Sequence, residues 1–586
     1  MYFYSVLSVV YAIVVNNVHA SKNVIYNDGD SLDWWQNAVF YQIYPRSFMD
    51  SNGDGIGDIQ GIISKLDHLK DAGITATWLS PIFKSPQIDQ GYDISDYRNI
   101  DPLFGTTEDF KELLVLAKGI GLKIILDFVP NHTSDMHEWF MKSEDKIEGF
   151  EDFYVWHDGI PNGFPIPSVP NNWVSEFGGS AWQWSEKRQQ YYYHQFAIQQ
   201  PDLNYSNPKV VEEMKDILRY WLDQGVDGFR VDAVPYLFED PHFRDEPLAY
   251  GHNSYDVNNK NCLDHIYTKD QEKTFDMIYQ FREVVDQYSK DHNTETKVLM
   301  TEAYSPMEKL MLFYESEDGA RKGAHFTFNF NFITDLKNTN ITVTNIAKAI
   351  HKWLVYIPKG STSNWVLGNH DNSRVATRLG RENVDGFNML VALLPGVMVT
   401  YNGEEIGMED GDVTCEEGFD PQAIKNCTTF NEISRDFERT PYQWDGTLNA
   451  GFSTANHTWL PVSEKAKYVN LASQNVLGIS SHYNIYKELL KFRGRFSRPA
   501  YFDSLTVVEL SSNVLQVIRK RNEEEYILLF NVGYSQEVFD FYKSKLTYRV
   551  VVASVNSTYV SGDEVDNHLL LNPHESIIIE STASSQ

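Results

Sequence analysis

Residues 225–234 read GVDGFRVDAV. Valines and a phenylalanine predict a buried strand, yet the strand carries Arg230 and Asp232 two residues apart. Side chains alternate between the two faces of a strand, so Phe229 and Val231 point one way and Arg230 and Asp232 the other. A cation and a carboxylate on one face fit a structural salt bridge as readily as a functional site, because a buried ion pair is weak evidence of either. The neighbouring segments decide between them.

Working outward, short apolar runs recur along the chain: AVFYQIYP (38–45), TATWLSP (75–81), LKIILDFVPNH (122–132), VDGFRVDA (226–233), KVLMTEAY (297–304), AHFTFNF (324–330), SNWVLGNHD (363–371) and GVMVTYNGEE (396–405). Amphipathic stretches such as DFKELLVLAKGIG (109–121) and VVEEMKDILRYWLDQG (210–225) lie between most of them. Eight strands alternating with helices predict an α/β fold, a parallel (β/α)₈ TIM barrel over residues 34–132 and 206–503. The gap after the third run is too long for one helix and is rich in Trp, Tyr, Gly and Pro, which predicts an inserted subdomain over 133–205. From 504 to 582 short alternating strands such as NVLQVIRKR and EYILLFNVG predict a C-terminal antiparallel β-sandwich.

Most of the barrel runs end in polar residues: His132, Asp232, Glu302, and His370 with Asp371. That rim is where a barrel builds its site. Three carboxylates brought together from three strands, with Arg230 and two histidines, cost stability and point to catalysis rather than to a salt bridge. In this reading Arg230 holds Asp232 ionised, as a nucleophile.

Composition narrows the partners. With 50 Lys and Arg against 81 Asp and Glu, the net charge is −31, which argues against nucleic acid or an anionic membrane surface. Aromatic residues make up 14% of the chain, which suits sugar binding and large cores alike. Residues 1–20 carry an apolar run ending in Val18-His19-Ala20, as in a secretory signal peptide, although no basic stretch precedes it. That run, about 15 residues, is short for a membrane span. Of the three cysteines, Cys415 and Cys427 are close enough to bridge a loop, leaving Cys262 unpaired. Glycosylation sequons at Asn340, Asn426, Asn456 and Asn556 agree with secretion.

DFVPNH (127–132), GFRVDAV (228–234), TEAY (301–304) and GNHD (368–371) resemble the four signature regions of the α-amylase superfamily, glycoside hydrolase family 13. QPDLN (200–204) and SRDFERTPYQWD (434–445) are similar to its oligo-1,6-glucosidase and α-glucosidase branch, and to the insect maltases and sucrases within it. The resemblance implies Asp232 as nucleophile, Glu302 as acid/base and Asp371 as transition-state stabiliser. A retaining glycosidase needs an ionised and a protonated carboxyl about 5 Å apart, and the charges of Asp232 and Asp371 are expected to raise the pKa of Glu302. By the same resemblance Asp89 grips an outer hydroxyl of the terminal glucose, Tyr92 stacks on its ring, and His132, Arg230, His370 and Arg439 form a polar clamp. Phe196 and Gln200 border the site, or serve packing, and Ala233 borders the second sugar. The implied function is a secreted, exo-acting α-glucosidase acting on maltose, sucrose and short α-1,4-oligosaccharides. The alternatives are a sucrose-isomerising or transglucosylating enzyme, and a non-catalytic role like that of transporter heavy chains or a surface receptor.

Two structural ions are implied and no organic cofactor. DSNGDGIGD (50–58) offers Asp50, Asn52, Asp54, the Ile56 carbonyl and Asp58 to Ca²⁺ or Mg²⁺, although Gly61 stands where an EF-hand would have its bidentate Glu. A second Ca²⁺ would take Asn131, Asp202, Glu239 and the carbonyls of Tyr236 and Leu237, leaving the sequons at Asn131 and Asn204 buried and unmodified.

Overall fold

The eight predicted strands form: β1 (Val39–Ile43), β2 (Ala76–Leu79), β3 (Lys123–Phe128), β4 (Gly228–Val231), β5 (Val298–Thr301), β6 (Phe326–Thr327), β7 (Asn364–Val366) and β8 (Val397–Tyr401). The computed structural model describes residues 32–582 apart from 338–340, 425, 498–502, 541–546 and 566–567. The predicted leader at 1–20 and the sequon asparagine Asn340 lie outside the described residues. The strands pair in the order β6-β5-β4-β3-β2-β1-β8-β7, and every ladder is parallel. Where β6 meets β7, a side chain replaces the ladder. The Asn364 amide donates to the Thr327 carbonyl at 2.6 Å and accepts from the Asn329 N–H at 2.8 Å. This bridging explains why β6 and β7 are shorter than the apolar runs that predict them.

Helices follow each strand and bury their apolar faces on the barrel. Thr107–Gly119 starts at a capping box between Thr106 and Asp109, and Pro208–Gln224 starts at the Asn207 cap with proline in its first turn. At Gly228 a side chain is excluded: φ is +155° and an added Cβ would lie 2.1 Å from the Val298 carbonyl oxygen.

Between β3 and its helix lies a three-stranded antiparallel sheet, Trp156–His157, Gln190–Tyr193 and Trp182–Ser185, built on Trp173, Trp182 and Tyr193. Two further long connections, 232–271 after β4 and 402–481 after β8, rise over the same rim and are not marked by any compositional shift.

The C-terminal region contains β9 (Asp503–Glu509), β10 (Val514–Arg521), β11 (Glu524–Asn531), β12 (Glu537–Asp540), β13 (Thr547–Ala553), β14 (Glu564–Val565), β15 (His568–Leu571) and β16 (Ser576–Thr582). A six-stranded sheet, β9-β10-β11-β16-β13-β14, faces the two-stranded β12-β15. Period-two alternation divides β11 between two cores. Ile527 and Leu529 pack against Leu569 and Leu571, whereas Leu528 and Phe530 join the barrel core. There Phe530 meets Phe387 edge-on at 5.2 Å.

Candidate active site

The β3–β4 register sets Asp127 opposite Arg230, and the alternation of β4 turns Arg230 and Asp232 inward. Phe229 and Val231 are fully buried in the outward core, where Phe229 meets Phe128 with ring centroids 6.1 Å apart. Arg230 is buried, lying 4.9 Å from the centre of the Trp78 ring. Its Nη1 donates to Asp127 Oδ1 at 2.9 Å and to Asp232 Oδ1, and its Nη2 lies 2.8 Å from Glu302 Oε2. One guanidinium therefore serves three carboxylates from three strands. A neutral structural pair would have one.

Burial, more than this sharing, works against the expectation that Arg230 holds Asp232 ionised. Burial pushes the Asp232 carboxyl well above its usual range; Arg230 pulls it back, while Glu302 and Asp127 push it further up. Burial likewise lifts Asp127 to about 6 against the pull of Arg230. Asp371 behaves oppositely. Burial pushes it up, but His370, Arg439, Arg435 and Arg230 together hold it below the usual carboxylate range. Since burial keeps His370 neutral, the arginines carry that effect. The pocket thus contains carboxyls driven in opposite directions, which is how acids of one type come to hold different roles.

After β4 the chain turns sharply. Ala233 adopts φ +47° and ψ +33°, a left-handed conformation unfavourable for a non-glycine residue, and this aims its N–H at Glu302 Oε2, 3.1 Å away.

These residues face a cavity of about 1040 Å³, whose wall includes Asp89, Tyr92, His132, Phe196, Asp232, Ala233, Glu302, His370 and Asp371. The Tyr92 and His370 rings are stacked 5.4 Å apart and 5° from parallel, with the Tyr92 hydroxyl 2.8 Å from His370 Nε2. Gln200 donates to Asp89 Oδ2 at 3.1 Å and lies 3.1 Å from His132 Nε2. Burial lowers His132 to about 3, so it stays neutral. The Phe196 ring meets that of His132 at 5.1 Å.

Arg435, absent from the expected clamp of His132, Arg230, His370 and Arg439, shares with Arg439 the contact to Asp371. Arg439 is fully buried behind the wall and binds Asp371 Oδ1 at 2.9 Å. Arg435 lines the cavity, reaching Asp89 Oδ1 at 3.0 Å and Asp371 Oδ1 at 3.3 Å. It stands in SRDFERTPYQWD, but nothing local distinguishes its task from that of Arg439. Asp127, in DFVPNH, was missed for the same reason.

Residues 42–498 match the alpha amylase catalytic-domain model of the alpha-amylase family. The chain belongs to the alpha-amylase family. It is a glycoside hydrolase. It is 48% identical over 559 residues to Maltase 1 of Drosophila virilis, covering 94% of this chain and 87% of that protein. It is 50% identical over 468 residues to a salivary alpha-glucosidase of Anopheles gambiae, covering 79% and 78%. The crystal structure of XgtA, an alpha-glucosyl transfer enzyme, superposes with a TM-score of 0.82 at 32% identity, covering 94% of this chain and 100% of that one.

Outside the catalytic pocket of this alpha-amylase-family barrel, the oxygens of the 50–58 loop engage the loop's own donors. Asp50 accepts from the Asn52, Gly53 and Gly55 N–H groups at 2.7–3.0 Å. Asp54 Oδ1 accepts from the Ile56 N–H at 2.9 Å, and Asp58 caps the helix that follows by accepting from the Gly61 N–H at 2.7 Å. Near the insert, Asn131 Nδ2 donates to Asp202 Oδ2 at 2.8 Å, while Asn131 Oδ1 is buried with no partner. Burial raises Asp202 well above its usual value and Glu239, which follows Tyr236 and Leu237, to about 7. Among the described residues no three His, Cys, Asp or Glu side chains converge as a metal cluster. Cys415 and Cys427 form a disulfide, and Cys262 is free and buried. Asn426, Asn456 and Asn556 are exposed and Asn131 is buried, whereas Asn204, expected to be buried, is half-buried.

Proposed function

We propose that this glycoside hydrolase is a secreted, exo-acting, retaining α-glucosidase that releases glucose from the non-reducing end of maltose, sucrose and short α-1,4-oligosaccharides. The observation that carries the reading is the polar and aromatic cluster beside the acids in the cavity wall. Beyond the acids, Asp89 is tied to Arg435 and Gln200, and Tyr92 is stacked against His370. Those groups offer hydrogen-bonding partners for sugar hydroxyls and an aromatic face for one terminal ring, which supports recognition of a single end glucose. The relatives named maltase and alpha-glucosidase support the same class of substrate.

In the reaction, Asp232 attacks the anomeric carbon while Glu302 gives a proton to the departing oxygen. Glu302 then takes a proton from water, which releases glucose from Asp232 with its original α configuration. Retention needs the two carboxyl groups about 5–5.5 Å apart, and inversion about 6.5–9.5 Å. Asp232 and Glu302 are bonded to the two terminal nitrogens of one guanidinium, which supports the shorter spacing. Arg230 offsets the negative charge of Asp232 as it attacks, and the Ala233 N–H held on Glu302 Oε2 fixes the acid in place. Asp371, kept ionised, balances the positive charge that develops on the ring.

A transglucosylating role is the second reading, since transfer and hydrolysis share one covalent intermediate and XgtA transfers α-glucosyl groups. Secretion is supported by the disulfide, by the three exposed sequon asparagines and by the apolar run at 1–20. A structural Ca²⁺ is proposed on Asn131, Asp202, Glu239 and the Tyr236 and Leu237 carbonyls, where it would satisfy the orphaned Asn131 oxygen and offset the carboxyls of buried Asp202 and half-buried Glu239. A second divalent ion at 50–58 would share oxygens that already accept hydrogen bonds.

Proton NMR of maltose and sucrose digests tests the reading. α-Glucose as the first product supports it. β-Glucose first, or no release of glucose, overturns it.

A further inference from the structure

Arg435 is held in place from outside the cavity. Asp420, fully buried, lies within the segment closed by the Cys415–Cys427 disulfide. Its Oδ1 accepts from Arg435 Nη2 at 2.7 Å, and its Oδ2 accepts from Arg435 Nε at 3.1 Å and from the Arg435 main-chain N–H at 2.7 Å. Asp436 returns the contact, accepting from the N–H groups of Phe419 at 2.8 Å and Asp420 at 3.0 Å. The same segment reaches the second arginine. The Phe419 carbonyl accepts from Gln90 Nε2 at 2.9 Å, and Gln90 Oε1 accepts from Arg439 Nη1 at 3.0 Å. Both arginines on Asp371 are thus anchored at residues 419–420.

We infer that Asp420 is a positioning residue: it fixes the Arg435 fork between Asp89 and Asp371 and so sets how tightly the cavity holds the terminal glucose. This rests on the α-glucosidase reading of the cavity. A two-pronged carboxylate–guanidinium contact fixes the plane of the guanidinium, which a single contact leaves free to turn. Without Asp420, Arg435 keeps its contacts of 3.0 Å to Asp89 and 3.3 Å to Asp371 and its place 5.2 Å from the centre of the Phe177 ring, none of which fixes its plane in two-pronged fashion. It would settle on those two carboxylates and compete with the sugar hydroxyls for them. An anchor that served only the loop would change stability and leave sugar binding alone.

The test is Asp420→Asn in the full-length, disulfide-intact protein, assayed with maltose and with glucose as a competing ligand. KM and the glucose inhibition constant are expected to rise together by about tenfold, with kcat much less affected. Most of that rise should vanish in an Asp89→Asn background, because the two changes act on one network. Should Asp420→Asn fail to fold, Asp420→Glu keeps the charge but displaces the guanidinium, and its KM answers the same question. Unchanged KM and glucose binding in an active, folded variant overturn the inference. A wild-type protein that neither cleaves maltose nor binds glucose overturns the functional reading, and this inference with it.

Discussion

Ala233→Val tests both the linkage preference and the geometry of the turn after β4. Ala233 sits at φ +47° and ψ +33°, and is 7% exposed in the cavity wall. A left-handed conformation costs a non-glycine residue about 1–2 kcal/mol, and a β-branched residue bears it worse. Valine therefore acts in two ways. Its extra methyl groups obstruct one approach of the second sugar, and changes of that size shift discrimination by roughly 1–3 kcal/mol. Relaxing its backbone also draws the N–H away from Glu302 Oε2, at present 3.1 Å distant. A hydrogen bond contributes roughly 0.5–1.5 kcal/mol, so kcat should fall severalfold on every substrate. The assay is kcat/KM on maltose, isomaltose and sucrose. The wild type should cleave maltose and sucrose well and isomaltose poorly, and valine should move the maltose-to-isomaltose ratio towards isomaltose by about tenfold. Ala233→Gly, which adopts this conformation freely, separates the effects: it should keep kcat near the wild-type value. A wild type that prefers isomaltose, or a valine variant with an unchanged ratio, refutes the reasoning.

Asp232→Asn should leave a folded protein with kcat lowered by several orders of magnitude, and near-normal hydrolysis would remove the nucleophile assignment. Exhaustive chelation should lower the melting temperature while leaving the chemistry intact, because ions bound only to the native state stabilise by mass action; an unchanged melting temperature with no metal by elemental analysis counts against both proposed ions. Glu404 is buried with both carboxylate oxygens unpartnered, and burial raises it from 4.5 to about 8. The native state then binds more protons than the unfolded chain between those values, so this group lowers stability as pH rises from 4.5 towards 8. Glu404→Gln should accordingly raise the melting temperature at pH 8 and have little effect at pH 4, and an equal effect at both would contradict the assignment.

The barrel was legible because its strands are local patterns: eight apolar runs with polar residues at their ends, separated by helical periodicity. The same alternation identified Arg230 and Asp232 as facing one way. What the pattern could not carry was how a cation is divided among distant partners. Arg230 is shared by Asp127, Asp232 and Glu302 through the β3–β4–β5 register, so its pull on Asp232 does not outweigh burial. Arg435 and Arg439 are four residues apart in one motif, yet one lines the cavity and the other stands behind Asp371, a difference set by loop packing against Asp420 and Gln90. The shortening of β6 and β7 arises from one asparagine side chain and has no counterpart in hydrophobic periodicity.

In the retaining mechanism proposed above, Asp232 becomes covalently bonded to glucose. An α-glucosyl fluoride with fluorine on the sugar ring slows breakdown of such an intermediate, and peptide mass spectrometry of the inactivated protein locates the sugar. One added fluoroglucosyl group is expected on the peptide containing Asp232, and none in Asp232→Asn. A label on Glu302, Asp371 or any other residue would contradict that mechanism.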